Sequence, residues 1–276
     1  MKHLSYFLCI GLVATVLSCS KEDDDDKQPP KNVPTDTIVP NGAKNEDFKY
    51  YGAELYSKET FKYGRFEAKM KMAYAPGCIS SMFLYYNDSY MGNGKIWNEI
   101  DIEVIGKNSS GFQSNIITGE KNAQVTSEKI HNLASPVNSG YHVYTIEWTP
   151  NYVSWKVDGT EVRKTNISND TKSQVVSLVE SQSLRFNLWA SSSTGWVGQF
   201  DQNYIPIAQY IDYVKVSDYD EETGQFTERW TDDFDSYNTS RWGKGNWKME
   251  LVTESTANVT VEDGNLVMRL TKVPKQ

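Results

Sequence analysis

The stretch Trp97-Asn98-Glu99-Ile100-Asp101-Ile102-Glu103-Val104-Ile105-Gly106 decides how the rest of the chain is read. Alternate side chains of an extended strand share a face, so Glu99, Asp101 and Glu103 project together while Ile100, Ile102 and Val104 point the other way. The apolar face belongs against a core. Three acids in line on the other face repel one another, and strands rarely carry that without a reason. A solvated face usually alternates signs, and a bound calcium usually draws its ligands from a loop. Three carboxyl groups on one strand face suit acid–base or nucleophilic chemistry better than either.

The same period of two runs outward from this strand. Phe66, Ala68, Met70 and Met72 alternate with Arg65, Glu67, Lys69 and Lys71, the pattern of a half-buried antiparallel strand. Tyr144–Trp148 and Val153–Val157 flank Thr149-Pro150-Asn151-Tyr152 as a hairpin, and Asp158-Gly159 turns the chain into Glu161-Val162-Arg163. Leu184–Ala190, Tyr210–Val216 and Asn265–Thr271 read as further strands, and only Asn169–Glu180 looks mixed. Many short strands with almost no helical period predict an all-β sandwich of jelly-roll type. On Leu184–Ala190 the residues Arg185, Asn187 and Trp189 share a face. Phe83, Tyr85 and Asn87 line up likewise, as do Gln113 and Asn115, so a polar groove with aromatic platforms is expected.

Composition narrows the partners. The 276 residues suffice for one sizeable domain, and a net charge of −8 repels phosphate backbones, which argues against nucleic acid. Eight Trp and 17 Tyr are enough both to fill a β-core and to line a groove that stacks on sugar rings. Trp148 and Trp155 are assigned to the core. Of the three cysteines, Cys9 and Cys19 fall in an apolar leader, leaving Cys78 as a small buried residue without a disulfide partner. Nothing around His131 or His142 resembles a nucleophile elbow, so a serine hydrolase is not expected.

Residues 1–18 have the positive start and short apolar run of a signal peptide, too short for the ~20 residues a bilayer span needs. Val16-Leu17-Ser18-Cys19 resembles a lipobox, so Cys19 is expected to carry lipid and hold the protein on the bacterial outer membrane. The run Asp23–Asp26 resembles a signal for the outer cell surface. Residues 19–46, acidic and then proline-rich, read as a disordered tether, with the folded domain spanning 47–272.

Glu99-Ile100-Asp101-Ile102-Glu103 matches the Glu-x-Asp-x-Glu signature of glycoside hydrolase family 16, whose members share a concanavalin A-like jelly roll. The version without an extra residue before the last Glu looks like that of the lichenases and xyloglucan transglycosylases. Phe83–Asn87, Gly111–Gly119, Leu184–Trp189 and Trp196–Phe200 resemble the lichenase cleft, from about Gly52 to Thr271. By this resemblance Glu99 is the nucleophile, Asp101 its supporting acid and Glu103 the general acid/base of a retaining endo-β-glucanase. Retaining enzymes hold the two carboxyl groups ~5–5.5 Å apart. Cα atoms four apart on a strand are separated by about 13 Å, so the two side chains must lean together over a curved strand.

The resemblance further implies that Phe83, Tyr85, Asn87, Gln113, Asn115, Gln124, Glu128, Arg185, Asn187, Trp189, Trp196 and Trp247 line the glucose subsites. Asn246 stands where close relatives often carry Asp. No cofactor is implied for catalysis, but a structural calcium is, on the Asp212 side chain with the Asp233 and Gly264 carbonyls. The segment Phe234–Trp242, which opens the domain in the family's usual order, here follows the last expected strand. That implies a circular permutation, which requires the chain near Tyr51 and Thr271 to lie close together. The substrate implied is mixed-linkage β-1,3-1,4-glucan, cut at β-1,4 bonds by a monomer. A laminarinase, a xyloglucan-active relative and a non-catalytic surface glycan-binding lipoprotein stand as alternatives.

Overall fold

The computed structural model describes residues 44–276. The leader, Cys19, the Asp23–Asp26 run and all but the last three residues of the expected tether lie outside the described residues. Seventeen strands follow: β1 (Phe48–Ser57), β2 (Gly64–Lys71), β3 (Cys78–Tyr85), β4 (Glu99–Ile105), β5 (Gly111–Glu120), β6 (Ala123–Thr126), β7 (Lys129–Asn132), β8 (His142–Trp148) and β9 (Tyr152–Val157). After them come β10 (Thr160–Asn166), β11 (Ser183–Ala190), β12 (Ile207–Tyr219), β13 (Phe226–Asp232), β14 (Trp242–Lys244), β15 (Thr253–Glu254), β16 (Val259–Glu262) and β17 (Asn265–Pro274). The stretch read as mixed holds a single short helix, α1 (Gln174–Ser177).

The strands form two layers. In the front sheet the order is β14-β1-β11-β3-β4-β5, with β6 and β7 both on the outer edge of β5. The back sheet runs β10-β9-β8-β2-β12, and the far edge of β12 carries β17 along one half and β13 along the other. Between the layers the alternation predicted from sequence is realised. Leu55, Met82, Leu84, Ile100, Ile102, Leu184 and Phe186 meet Phe66, Ala68, Met70, Tyr144, Ile146, Trp148, Val153 and Trp155, all fully buried. Cys78 is free and buried, and burial pushes its thiol up to about 12.

Turns follow their residues. Asp158 and Gly159 both take positive φ, +50° and +78°, which gives the tight right-twisted hairpin between β9 and β10. The two ends of the folded unit pair in one ladder, with Tyr51 opposite Thr271 and Phe48 opposite Pro274. The unit also reaches slightly beyond 47–272. Asn45 donates to the Phe200 carbonyl and accepts from the Gln202 amide, and the Lys275 amide donates to the Asp47 carbonyl. Composition marked Asn45 as tether because a single carboxamide contact leaves no periodic trace.

Phe66 sits at the centre of the back sheet, fully buried with its ring 5.3 Å from that of Phe61. Phe66→Ala should destabilise the domain by about 3–5 kcal/mol, read as a lowered urea midpoint at unchanged slope.

Candidate active site

Residues directly opposite in antiparallel strands share a face, so the register of the front sheet lays its outer face out in rows. One row runs Glu54, Asn187, Ser81, Glu103, Gln113 across β1, β11, β3, β4 and β5. The next runs Tyr56, Arg185, Phe83, Asp101, Asn115, and the third Ser183, Tyr85, Glu99. Six of the twelve expected cleft residues thus stand in rows with the three carboxyl groups. Asn87 follows β3 and reaches the same face through Arg185.

The three acids do not ionise alike. Asp101 is 2% exposed, and burial raises its pKa well above the usual carboxylate range, with the charges of Glu99 and Glu103 adding to the rise. It therefore keeps its proton and shares it with Glu99; its Oδ2 has no hydrogen-bond partner among the described residues. Burial lifts Glu99 to about 7, against hydrogen bonds from Trp97 and Asp101 that favour the anion. Trp97 Nε1 donates to Glu99 Oε2 at 2.6 Å. Glu103 has no such help: burial, then the charge of Glu99, raises it to about 8. A carboxyl group with two donors that favour its anion stands beside one that burial and a neighbouring charge push toward the protonated form. This arrangement can attack an electrophilic carbon and protonate a leaving oxygen.

Arg185 organises the other half of the face. Its Nη1 donates to Glu54 Oε1 at 2.6 Å, Nη2 to Asn87 Oδ1 at 2.8 Å and Nε to Ser183 Oγ at 2.8 Å. The guanidinium lies 5.4, 5.1 and 6.0 Å from the ring centres of Tyr56, Tyr85 and Trp247. On the opposite side Trp196 Nε1 donates to Gln113 Oε1 at 3.2 Å, and its ring is 6.1 Å from that of Trp189. Asn187 Oδ1 accepts from Ser81 Oγ at 2.5 Å, and Asn115 Oδ1 accepts from the Ser127 amide at 2.9 Å. Gln124 and Glu128 are exposed around β6, with Glu128 accepting from Thr126 Oγ1, so they stand at the rim.

Sequence reading missed three members. Trp97 could have been found, because it lies two residues before Glu99 in the same extended run. Tyr56 and Glu54 could not: Glu54 is 3% exposed and enters the site only through the pairing of β1 with β11. Burial raises Glu54 to about 7, against the pull of Arg185.

The expected calcium ligands fit less directly. Asp212 is the extra residue of a bulge between β12 and β2, and its Oδ2 lies 2.5 Å from Lys69 Nζ. The one side-chain donor of that set is thus already neutralised, and a cation would have to displace the ammonium. Asp233 acts on the same Tyr213 ring as Asp212, and Gly264 sits in a turn at φ +70°. Among the described residues no three His, Cys, Asp or Glu side chains cluster as metal ligands.

The profile of glycosyl hydrolases family 16 matches residues 35–209. A β-glucanase of Fibrobacter succinogenes is 50% identical over 229 residues, 81% of this chain and 64% of that protein. A β-glucanase of Paenibacillus polymyxa is 33% identical over 172 residues, 61% of this chain and 65% of the relative. The chain thus spans somewhat under two thirds of the length of these two relatives. A solved Bacillus licheniformis β-glucanase superposes with a TM-score of 0.50 at 23% identity, over 68% of this chain and 95% of that one, which bears on the fold alone. With its carboxyl strand inside the matched span and half of the 229 aligned residues identical in the Fibrobacter succinogenes relative, the chain belongs to glycosyl hydrolases family 16.

Proposed function

We propose that the protein is a retaining endo-β-glucanase that cuts β-1,4 bonds in mixed-linkage β-1,3-1,4-glucan. The observation that carries this reading is the placement of Glu99, Asp101 and Glu103 on one face of β4, with Trp97 donating to Glu99 and with cleft residues in register on both sides. In the first step the Glu99 carboxylate attacks the anomeric carbon and the bond to the leaving oxygen breaks. Glu103 gives that oxygen its proton, leaving a glycosyl ester on Glu99. In the second step Glu103 takes a proton from water, whose oxygen attacks the same carbon and releases Glu99. Arg185, Asn87 and Asn187 offer hydrogen bonds to sugar hydroxyls, and Trp189, Trp196 and Trp247 offer ring faces. The β-glucanase relatives support the choice of a β-glucan.

Three further readings accompany this one. The pairing of Tyr51 with Thr271, and a family match that ends at 209, support a circularly permuted order. The leader and Cys19 support a lipid-anchored protein facing outward from the outer membrane; labelling with radioactive palmitate, lost in Cys19→Ala, tests it. A structural calcium at Asp212, Asp233 and Gly264 rests on the family resemblance and would have to displace Lys69 from Asp212. Calcium addition that leaves the melting temperature unchanged would count against it.

Reducing-sugar release should be confined to mixed-linkage glucan when laminarin and a pure β-1,4-glucan are assayed alongside. Release mainly from laminarin would overturn the substrate, and binding without release would make this a glycan-binding protein. Glu103→Gln should lower kcat by about 10²–10⁴-fold, and Glu99→Gln at least as much, with glucan binding kept in both.

The same groups set a pH dependence of stability. A carboxyl group whose folded pKa lies above its unfolded value contributes stability below the unfolded pKa and loses it as pH rises through the folded one. For Glu103 that window runs from about 4.5 to about 8. Glu103→Gln should therefore melt higher than wild type at pH 8 and above, and the gain should vanish below pH 4.5. Calorimetry across that range checks the sign.

A further inference from the structure

Behind the carboxyl strand a hydrogen bond crosses the sandwich from one sheet to the other. Trp155 Nε1, on β9 of the back sheet, donates to the main-chain oxygen of Asp101 on β4 at 3.0 Å, in a fully buried position. Over the Trp155 ring, 4.4 Å from its centre, lies the guanidinium of Arg163. Its place there depends on a bulge. Glu161 pairs with Lys156, and strict alternation would then set Val162 opposite Trp155, yet the register skips and Arg163 takes that position. An arginine is turned toward the interior where an aliphatic residue would have pointed.

Once inside, Arg163 reaches the front sheet. Nη1 donates to the carbonyl and hydroxyl oxygens of Ser114 at 3.1 and 3.0 Å, and Nη2 to Ser127 Oγ at 2.9 Å. Nε donates to Thr165 Oγ1 at 3.3 Å. Every one of these acceptors is a neutral oxygen, while Asp170 and Glu128 act on the guanidinium only at longer range. Burial lowers its pKa to about 10. His131, whose Nε2 meets Ser114 Oγ at 2.8 Å, is pushed down to about 4 by burial, Arg163 and Lys129, so it supplies no second charge near neutral pH.

A half-buried guanidinium without a contacting carboxylate is costly, and an aliphatic chain of similar volume would fill the space more cheaply. What Arg163 touches explains why it is there. Ser114 is the β5 residue opposite Ile102, in the middle of the carboxyl strand. Ser127 gives its amide proton to Asn115 Oδ1, and Asn115 stands opposite Asp101. One route ends opposite Asp101, whose hydrogen bond favours the Glu99 anion, and the other opposite its neighbour Ile102.

We propose that Trp155 and Arg163 are positioning residues for the reaction, forming an inter-sheet strut that sets the carboxyl strand through the Asp101 carbonyl and orients Asn115 through Ser127. Neither touches the substrate. Their effect is geometric: a displacement of about 1 Å at reacting groups can cost on the order of 10²-fold in rate. This inference rests on β4 being the catalytic strand, as proposed above.

Trp155→Phe removes the N–H and keeps most of the ring. In the purified full-length protein, kcat on mixed-linkage glucan should fall about tenfold with KM little changed, and the pH profile of kcat/KM should shift. Arg163→Gln should lower kcat and also raise KM, because Asn115 loses its support. Carbon-13 NMR of labelled carboxyl groups, with no sugar present, should show altered titration of Glu99 and Asp101 in both variants. Wild-type kcat, KM, pH profile and carboxyl titrations in both would overturn the strut. If Trp155→Phe does not fold, Arg163→Gln decides by the same readings. A wild type inactive on every glucan would sink the catalytic reading alone, and the carboxyl titrations would then support or overturn the strut by themselves.

Discussion

Three carboxyl groups spaced two residues apart on a buried strand cannot all carry charge, and the rest of the site is arranged around that constraint. Water screens them poorly, because Asp101 is buried, Glu99 and Glu103 are only partly exposed, and neighbouring strands flank β4 on both sides. Protons must therefore be distributed unequally, and the donors around the strand decide how. Trp97 and Asp101 favour charge on Glu99, while Glu103 feels only burial and the charge of Glu99, so the asymmetry follows from hydrogen bonds. A second pair shows the same economy: Glu54, buried with its pKa raised, is drawn back toward ionisation by Arg185. The cationic side of the face is thereby fixed at a distance from the acids, and Arg185 is left with two donors committed to Asn87 and Ser183.

Stability and chemistry pull in opposite directions here. A buried acid with a raised pKa is comfortable only when protonated, yet turnover requires one of the trio to ionise. The core absorbs the cost. Nine core residues on the inward faces of β1, β3, β4 and β11 are no more than 1% exposed, and the back sheet packs against them. A well-packed sandwich can hold an unfavourable cluster on its outer face without losing its register.

How much of this was legible from sequence depends on the range of the interaction. Period two placed the core faces of β2, β4 and β11 correctly, since alternation is a local consequence of extended backbone. It also aligned Arg185 with Asn187 and Trp189, and Glu99 with Asp101 and Glu103. The catalytic roles came from resemblance, because alternation alone says which acids share a face and not which one keeps its proton. Pairing between distant strands was out of reach. Glu54 and Arg185 are 131 residues apart, and no local pattern announces that β1 lies beside β11. Asn45 escaped for the related reason that one polar side chain can fasten a segment that composition marks as loose.

Bulges mark the other limit. In the back sheet the register slips at Val162, at Asp212 and at Arg229, and each slip releases a charged side chain from the alternating pattern. Asp212 turns to Lys69, Arg229 reaches Glu59 and Asp218, and Arg163 covers the Trp155 ring. The first two place charge pairs on the surface, where a slip costs little. The third lays a half-buried cation against the core-facing Trp155. An extra residue in a strand reverses every inward–outward assignment beyond it, so strict alternation on β10 puts Val162 in and Arg163 out. The side chain that alternation would assign to solvent is the one that links the two sheets behind Asp101. Reading such a strand correctly requires knowing where its partner's residues fall, which is a property of the pair and not of either sequence segment.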